Sequence, residues 1–264
     1  MRGAFDVAPK WTSVNNFMAA PRKPALFHLS GLGTDYPIYI DEPTGAEEGT
    51  PWITVLCLDG DDQFADLCKA RAVLAKTHTL PSLLLVGIGY GASYGKPGNK
   101  RSRDYTPVAI AEAEGAGGAD AFLDFIKDTV WPELERRYPV HPEIRGVTGY
   151  SLGALFALHA LFKREPFFNR VLAASPSIWW GERAVLAPLS ALQKADVELP
   201  ARLFVSVGLK DSQSMTGDLV LLEDQLAARP VRGLDVRSAR FPECNHFNAI
   251  AVSFRTGLVE LFGA

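Results

Sequence analysis

Cysteine is scarce. The 264 residues contain three, Cys57, Cys68 and Cys244, and no two of them stand at C-x-x-C spacing. Neither a disulfide-stapled scaffold nor a zinc module is expected from so few thiols. An excess of basic charge is also missing. The 27 Lys and Arg against 30 Asp and Glu leave a net charge of −3, whereas a nucleic-acid protein needs a concentrated basic face. No apolar run approaches the ~18 residues of a membrane helix. The opening MRGAFDVAPKWTSVNNFMAAPRKP has no apolar core of signal-peptide length, which points to the cytoplasm; a periplasmic placement follows only if a leader was trimmed. No internal repeat and no linker divides the chain, so residues 1–264 read as a single domain.

What is present is alternation. Short apolar runs read as strands at Leu26–Ser30, Tyr36–Asp41, Ile53–Leu58, Leu83–Ile88, Arg145–Gly149, Arg170–Ala174, Arg202–Val207 and Asp235–Phe241. The middle ones (ITVLCL, LLLVGI, RLFVSV) are continuously apolar, as in a parallel sheet buried on both faces. Tyr36–Asp41 alternates and follows the first strand across a glycine turn, which predicts an antiparallel hairpin at one edge. Helical patterns fall at Asp61–Lys76, Ala119–Tyr138, Leu152–Lys163, Glu182–Lys194, Met215–Ala228 and Phe247–Phe262. Pro132 lies within the second and predicts a kink or restart there. Strands alternating with helices give an α/β protein with a mostly parallel sheet of about eight strands. Residues 89–118 have no periodicity and are too long for an ordinary connection, so they read as a long active-site loop or small cap.

Gly149-Tyr150-Ser151-Leu152-Gly153 is G-x-S-x-G, with a strand before it and a helix after it. That context is what a nucleophile elbow requires, the glycines clearing space where the strand turns sharply into the helix. A serine hydroxyl is a weak nucleophile and needs a base. Of the five histidines, His246 alone follows the last strand in a polar turn and precedes the final helix, the place of the base in the chain order Ser, acid, His. His28, His78, His141 and His159 read as surface or packed side chains. Asp211 is the first acid after the penultimate strand. It either orients His246 or merely opens the next helix, and both readings stand. Leu152 N–H, next to the nucleophile, and Asp61 N–H, presented by the Asp59-Gly60 turn, are the expected oxyanion donors.

These motifs resemble the esterases related to enterochelin and salmochelin esterases, within a broader group that holds esterase D and the mycolyltransferases. The resemblance runs from about Tyr36 onward. It rests on VLCLDGDDQF, on VGIGY followed by RSRDYTP, and on GADAFLDFIKDTVWPELERRYPV. TGYSLGALFALHAL, AASPSIWW and VGLKD complete it. It implies the α/β-hydrolase fold, the catalytic pair Ser151 and His246, and an oxyanion N–H on Asp61. Two departures stand out: Ala154 replaces a frequent second glycine, and Asp211 occupies a position where glutamate is common. The second leaves a triad or a Ser–His dyad open.

Arg103 and Tyr105, in the long loop, and Trp179 and Trp180, after the sixth strand, are the candidate substrate contacts: a cation, a phenol and an aromatic wall. For Arg103 and Asp104 the plainer reading is an ion pair that pins the loop, and for at least one tryptophan it is core packing. The expected activity is a serine carboxylesterase on a small-molecule ester, aryl or oligomeric, with a catecholate siderophore lactone as one candidate. An acyltransferase and a catalytically dead binding protein are the alternatives. No metal, cofactor, nucleic-acid or membrane partner is implied, and the oligomeric state is unspecified.

Overall fold

The computed structural model describes residues 25–77 and 80–263; the N-terminal segment read for a leader and His78 lie outside them. Eight strands form one sheet: β1 (Ala25–Gly31), β2 (Thr34–Asp41), β3 (Trp52–Cys57), β4 (Leu83–Ile88), β5 (Val140–Tyr150), β6 (Arg170–Ala174), β7 (Ala201–Gly208) and β8 (Leu234–Phe241). Their order is β1-β2-β4-β3-β5-β6-β7-β8. The first two pairings are antiparallel and all others parallel. The edge hairpin predicted from alternation is present, with Leu32 and Gly33 both at positive φ, as a tight two-residue turn requires.

The helices are α1 (Gly60–Leu74), α2 (Arg101–Asp104), α3 (Ala119–Phe125), α4 (Trp131–Arg137), α5 (Leu152–Leu161), α6 (Trp180–Arg183), α7 (Leu186–Ala195), α8 (Gln213–Ala228) and α9 (Ile250–Phe262). None among the described residues is long and apolar enough to cross a membrane. Successive strand residues feed opposite layers. Leu56, Val86 and Val147 join the layer of α3, α4 and α5, with Phe122, Leu134 and Phe156. Val55, Leu85 and Leu172 join that of α1 and α9, with Phe64, Leu67, Phe254 and Leu258. Because both faces are covered, the central strands carry no polar alternation.

The helix read over Ala119–Tyr138 is interrupted, as Pro132 requires. Residues Ile126–Val130 form a π turn, and Trp131 N–H reaches the Ile126 carbonyl. Proline has no N–H to give the carbonyl four residues back, and the ladder widens just ahead of it. The helix predicted from Glu182 starts at Leu186, because Gly181, Glu182 and Arg183 all have left-handed φ. The last helix likewise starts at Ile250 rather than Phe247. Asn245 Oδ1 accepts from Phe247 N–H and Asn248 N–H, holding the preceding residues in a separate turn.

Chain connectivity reverses direction between β3 and β5, which lie side by side. An open α/β sheet forms its crevice beyond the carboxyl ends of its strands at such a point. The turns after β3 and β5 therefore meet, with Leu58 N–H donating to the Thr148 carbonyl at 3.0 Å. On the opposite layer, α9 lies so close to the sheet that a Cβ on Gly257 would stand 2.3 Å from Leu172 Cδ1 and 2.9 Å from Phe204 Cδ1. Gly257→Ala should lower stability by about 1–3 kcal/mol, the range for overpacking a filled core. Urea unfolding of the variant, with an unchanged midpoint as the contrary result, checks this.

Candidate active site

Ser151 connects β5 to α5 with φ 60° and ψ −116°, a conformation that costs a non-glycine residue about 1–3 kcal/mol. The surroundings hold it there: Ser151 N–H donates to the Ala174 carbonyl on β6, and its own carbonyl accepts from Leu155 in α5. Strand end and helix start approach so closely that a Cβ on Gly149 would lie 2.3 Å from the Gly153 carbonyl carbon. The glycine of the elbow is there for that contact, and the serine side chain is left half-buried at the rim.

The turns after β7 and β8 place the other two polar groups. Lys210 N–H donates to the Cys244 carbonyl at 2.8 Å, locking one turn on the other. His246 Nδ1 then lies 2.8 Å from Asp211 Oδ2, while Asp211 Oδ1 accepts from Ser212 N–H at 2.7 Å. The Asp211 side chain is buried; as an acceptor it selects the His246 tautomer that carries its proton on Nδ1. Nε2 is then the free basic nitrogen. The Tyr150 ring packs 5.1 Å from the imidazole and limits its tilt. Ser151, His246 and Asp211 line one open cavity of about 490 Å³, with Leu152, Ser177 and Trp179. The Ser151 hydroxyl pairs with Ser177 Oγ at 3.1 Å.

A buried ion pair forms the back of this site. Arg101 Nε and Nη2 each lie 2.9 Å from an oxygen of Asp59, and Nη2 also donates to the Tyr150 carbonyl at 3.4 Å. Asp59 is fully buried at φ 52°, where β3 turns into α1. Burial pushes its carboxyl above the ordinary range, and the charge of Arg101 opposes that push. Arg101 in turn lines the cavity and has its guanidinium 4.7 Å above the Tyr94 ring. Among the described residues no group of three His, Cys, Asp or Glu side chains is placed to hold a metal ion.

Residues 30–230 match the family model described as "Putative esterase". The chain is 35% identical to the siderophore triacetylfusarinine C esterase of Aspergillus fumigatus over 71% of this chain and 68% of that protein. It is 26% identical to the ferri-bacillibactin esterase BesA of Bacillus subtilis, covering 82% and 81% of the two chains. The solved siderophore hydrolase EstB of Aspergillus nidulans superposes with a TM-score of 0.78 at 25% identity, over 96% of this chain and 98% of that one. This chain belongs to that esterase family. Its eight-stranded sheet is the α/β-hydrolase fold of these relatives.

Within this esterase, several expected contacts lie elsewhere. Arg103 does not face the cavity. It donates to the Leu32 carbonyl, Thr34 Oγ1 and Tyr36 Oη, and pairs with Asp104 at 2.6 Å. These contacts are those of the plainer reading, an ion pair that pins the loop. Residues two apart on a helical turn point to opposite sides, so in α2 Arg101 faces the site and Arg103 the edge hairpin. Tyr105 is fully buried, and its hydroxyl accepts from Asp59 N–H at 2.9 Å, so it supports the turn and is not among the residues lining the cavity. Trp180 is 5% exposed with its indole N–H on the Val108 carbonyl, whereas Trp179 is 42% exposed and walls the cavity. Asp61 sits in the first turn of α1, and its carboxylate accepts from Tyr39 Oη, Tyr90 N–H and Gly91 N–H. It thereby anchors the start of the long loop.

Of the other histidines, His28 lies on β1, His141 Nδ1 accepts from two backbone N–H groups of its own turn, and His159 pairs with Asp120. Sequence reasoning missed Arg101, Asp59 and Ser177. RSRDYTP contained the signal for the first, since its two arginines occupy opposite sides of one turn.

Removing Arg101 should expose the cost of the buried Asp59 charge. In Arg101→Met the carboxyl loses the pull that opposed burial, and its folded-state value rises further above the unfolded one. A group so raised stabilises the fold below the ordinary carboxyl range and loses that contribution as pH rises. The variant should be about 3–5 kcal/mol less stable than the parent near pH 7, with the gap closing toward pH 4. Urea denaturation across that range, with a pH-independent gap as the contrary result, decides it.

Proposed function

We propose that this esterase is a serine carboxylesterase working through an acyl-enzyme on Ser151, with His246 as base and Asp211 as its orienting acid. The observation that carries the reading is the 2.8 Å contact between His246 and Asp211 beside a strained serine in the same cavity. Ser151 Oγ attacks the ester carbonyl as its proton passes to His246 Nε2. The imidazolium that forms is balanced by Asp211 and then protonates the departing alcohol. Water, activated by the same nitrogen, releases the acid. The oxyanion is received by backbone N–H groups at two helix starts, Leu152 on α5 and Asp61 on α1, where the first turns have no intrahelical acceptors. A triad is favoured over a dyad because the Asp211 side chain is buried and its second oxygen is fixed by Ser212.

The substrate we propose is an oligoester of siderophore type. Its support is the run of relatives named for siderophore esters, from triacetylfusarinine C to bacillibactin, together with an open cavity walled by Trp179. Because Asp59 balances Arg101 within the wall, the site offers little net attraction for a strongly anionic ligand. Uncharged acyl and alcohol parts therefore fit it better than a polyanionic chelate. Arg103 is turned toward the edge hairpin, so this reading gives it no substrate contact.

Ser151→Ala should abolish hydrolysis of such esters by at least ~10³-fold with the fold intact, and a fluorophosphonate should label Ser151 in the parent. Wild-type turnover by the alanine variant would refute the nucleophile. The substrate reading is tested on a panel of hydroxamate and catecholate lactones set against short-chain alkyl esters, and preference for the simple esters would refute it. Asp211→Asn should cost between ~10-fold and ~10⁴-fold in kcat, the upper end being the loss of the correct His246 tautomer. An unchanged rate alongside an inactive His246→Ala would make the site a dyad.

A further inference from the structure

We infer that Ser177 is a positioning residue for the nucleophile, its hydroxyl donating to Ser151 Oγ and so leaving the Ser151 proton for His246. This rests on the reading of Ser151 as nucleophile. Two contacts join the residues: the hydroxyl pair at 3.1 Å, and Ser177 N–H donating to the Ser151 carbonyl at 3.2 Å. Ser177 is 1% exposed, on a turn that offers it little freedom. Ser175 before it has φ 43° and donates its N–H to the Ser206 carbonyl at 2.7 Å. The Ser177 carbonyl accepts from Trp180 N–H at 3.2 Å.

The direction of the hydroxyl pair follows from counting protons. Each hydroxyl has one proton to give and two lone pairs. If Ser151 were the donor, the buried Ser177 proton would need another acceptor, and among the described residues its recorded partner is Ser151 alone. A buried donor left without an acceptor is costly. If Ser177 donates, its proton is satisfied, and the half-buried Ser151 proton is free to turn toward the cavity and Nε2. As attack proceeds, the Ser151 O–H bond breaks toward His246, the Oγ–C bond forms, and the carbonyl π pair moves to the oxyanion. Ser177 then donates to an oxygen that carries growing negative charge in the approach to the transition state. In deacylation the Oγ–C bond breaks, and the departing Ser151 oxygen meets the same donor before His246 returns its proton. The backbone donors act on the carbonyl oxygen; Ser177 acts on the nucleophile.

Three measurements test this on Ser177→Ala and Ser177→Cys: the phosphonylation rate with a fluorophosphonate, kcat and KM on one ester, and the thermal midpoint. Alanine should slow both phosphonylation and kcat by about tenfold or more, as for a hydrogen bond to a developing charge, with KM within about twofold. Cysteine, which keeps a weak S–H donor, should fall between alanine and the parent; a purely steric role would order the two by size and not by donor strength. Phosphonylation of the alanine variant at or above the parental rate would overturn the proposal, because the hydroxyl would then be idle or parking the nucleophile. If alanine fails to fold, a cysteine variant as fast as the parent overturns it equally. Failure of the parent to be labelled at Ser151 would refute the nucleophile itself and Ser177 with it.

Discussion

The ion pair between Asp59 and Arg101 is the contact on which the site depends. It joins three segments far apart in sequence: the turn after β3, the long loop after β4, and, through the Tyr150 carbonyl, the residue before the nucleophile. The loop has few apolar residues to bury and α2 is a single turn. The bidentate geometry, with Tyr105 Oη beneath the Asp59 backbone, offsets much of the desolvation cost of two charges. A position whose burial would otherwise favour a neutral carboxyl becomes a fixed part of the wall. The same pairing leaves the cavity nearly charge-neutral, so its electrostatics are local, carried by His246, Asp211 and helix starts.

Unfavourable backbone is concentrated at this edge of the sheet. Asp59, Ser151 and Ser175 are non-glycine residues at positive φ, each just beyond the carboxyl end of a parallel strand, and Glu182 and Arg183 follow soon after Trp179 in the chain. Strain of this kind persists only where neighbours over-determine it. Here the neighbours are ladder hydrogen bonds from the adjacent strands and helix starts that need their first residue turned outward. The two-sided apolar sheet supplies the stability that makes these conformations tolerable. The turns after β5 and β6 bring Ser151 and Ser177 into one cavity, with Asp59 held behind Arg101.

The two halves of the site differ in how they are held. Ser151 is set by local geometry, the glycine contact at Gly149 and the start of α5. His246 and Asp211 depend on two loops locking against each other through Lys210 and Cys244, and on a separate Asn245 turn that delays α9 by three residues. The nucleophile hydroxyl rests against Ser177, which lines the same cavity as His246.

Local pattern determined much of this protein. The central strands were legible as short apolar runs bounded by turn residues, the hairpin strand by its alternation, and the elbow because two glycines flank a serine at a strand–helix junction. The break at Pro132 followed from a missing N–H. His246 and Asp211 were legible from chain order, since each follows a late strand. The sequence did not decide which side of a turn a residue faces. Arg101 and Arg103 are both arginines in one motif, and only the rotation of α2 turns the first to the cavity and the second to the hairpin. Trp179 and Trp180 separate in the same way, one into the wall and one onto the Val108 carbonyl. Ser177 stood within AASPSIWW with no role attached, because its partner lies in the turn after another strand. Periodicity records burial against a layer, whereas a hydrogen bond between distant segments exists only once the sheet has brought their ends together.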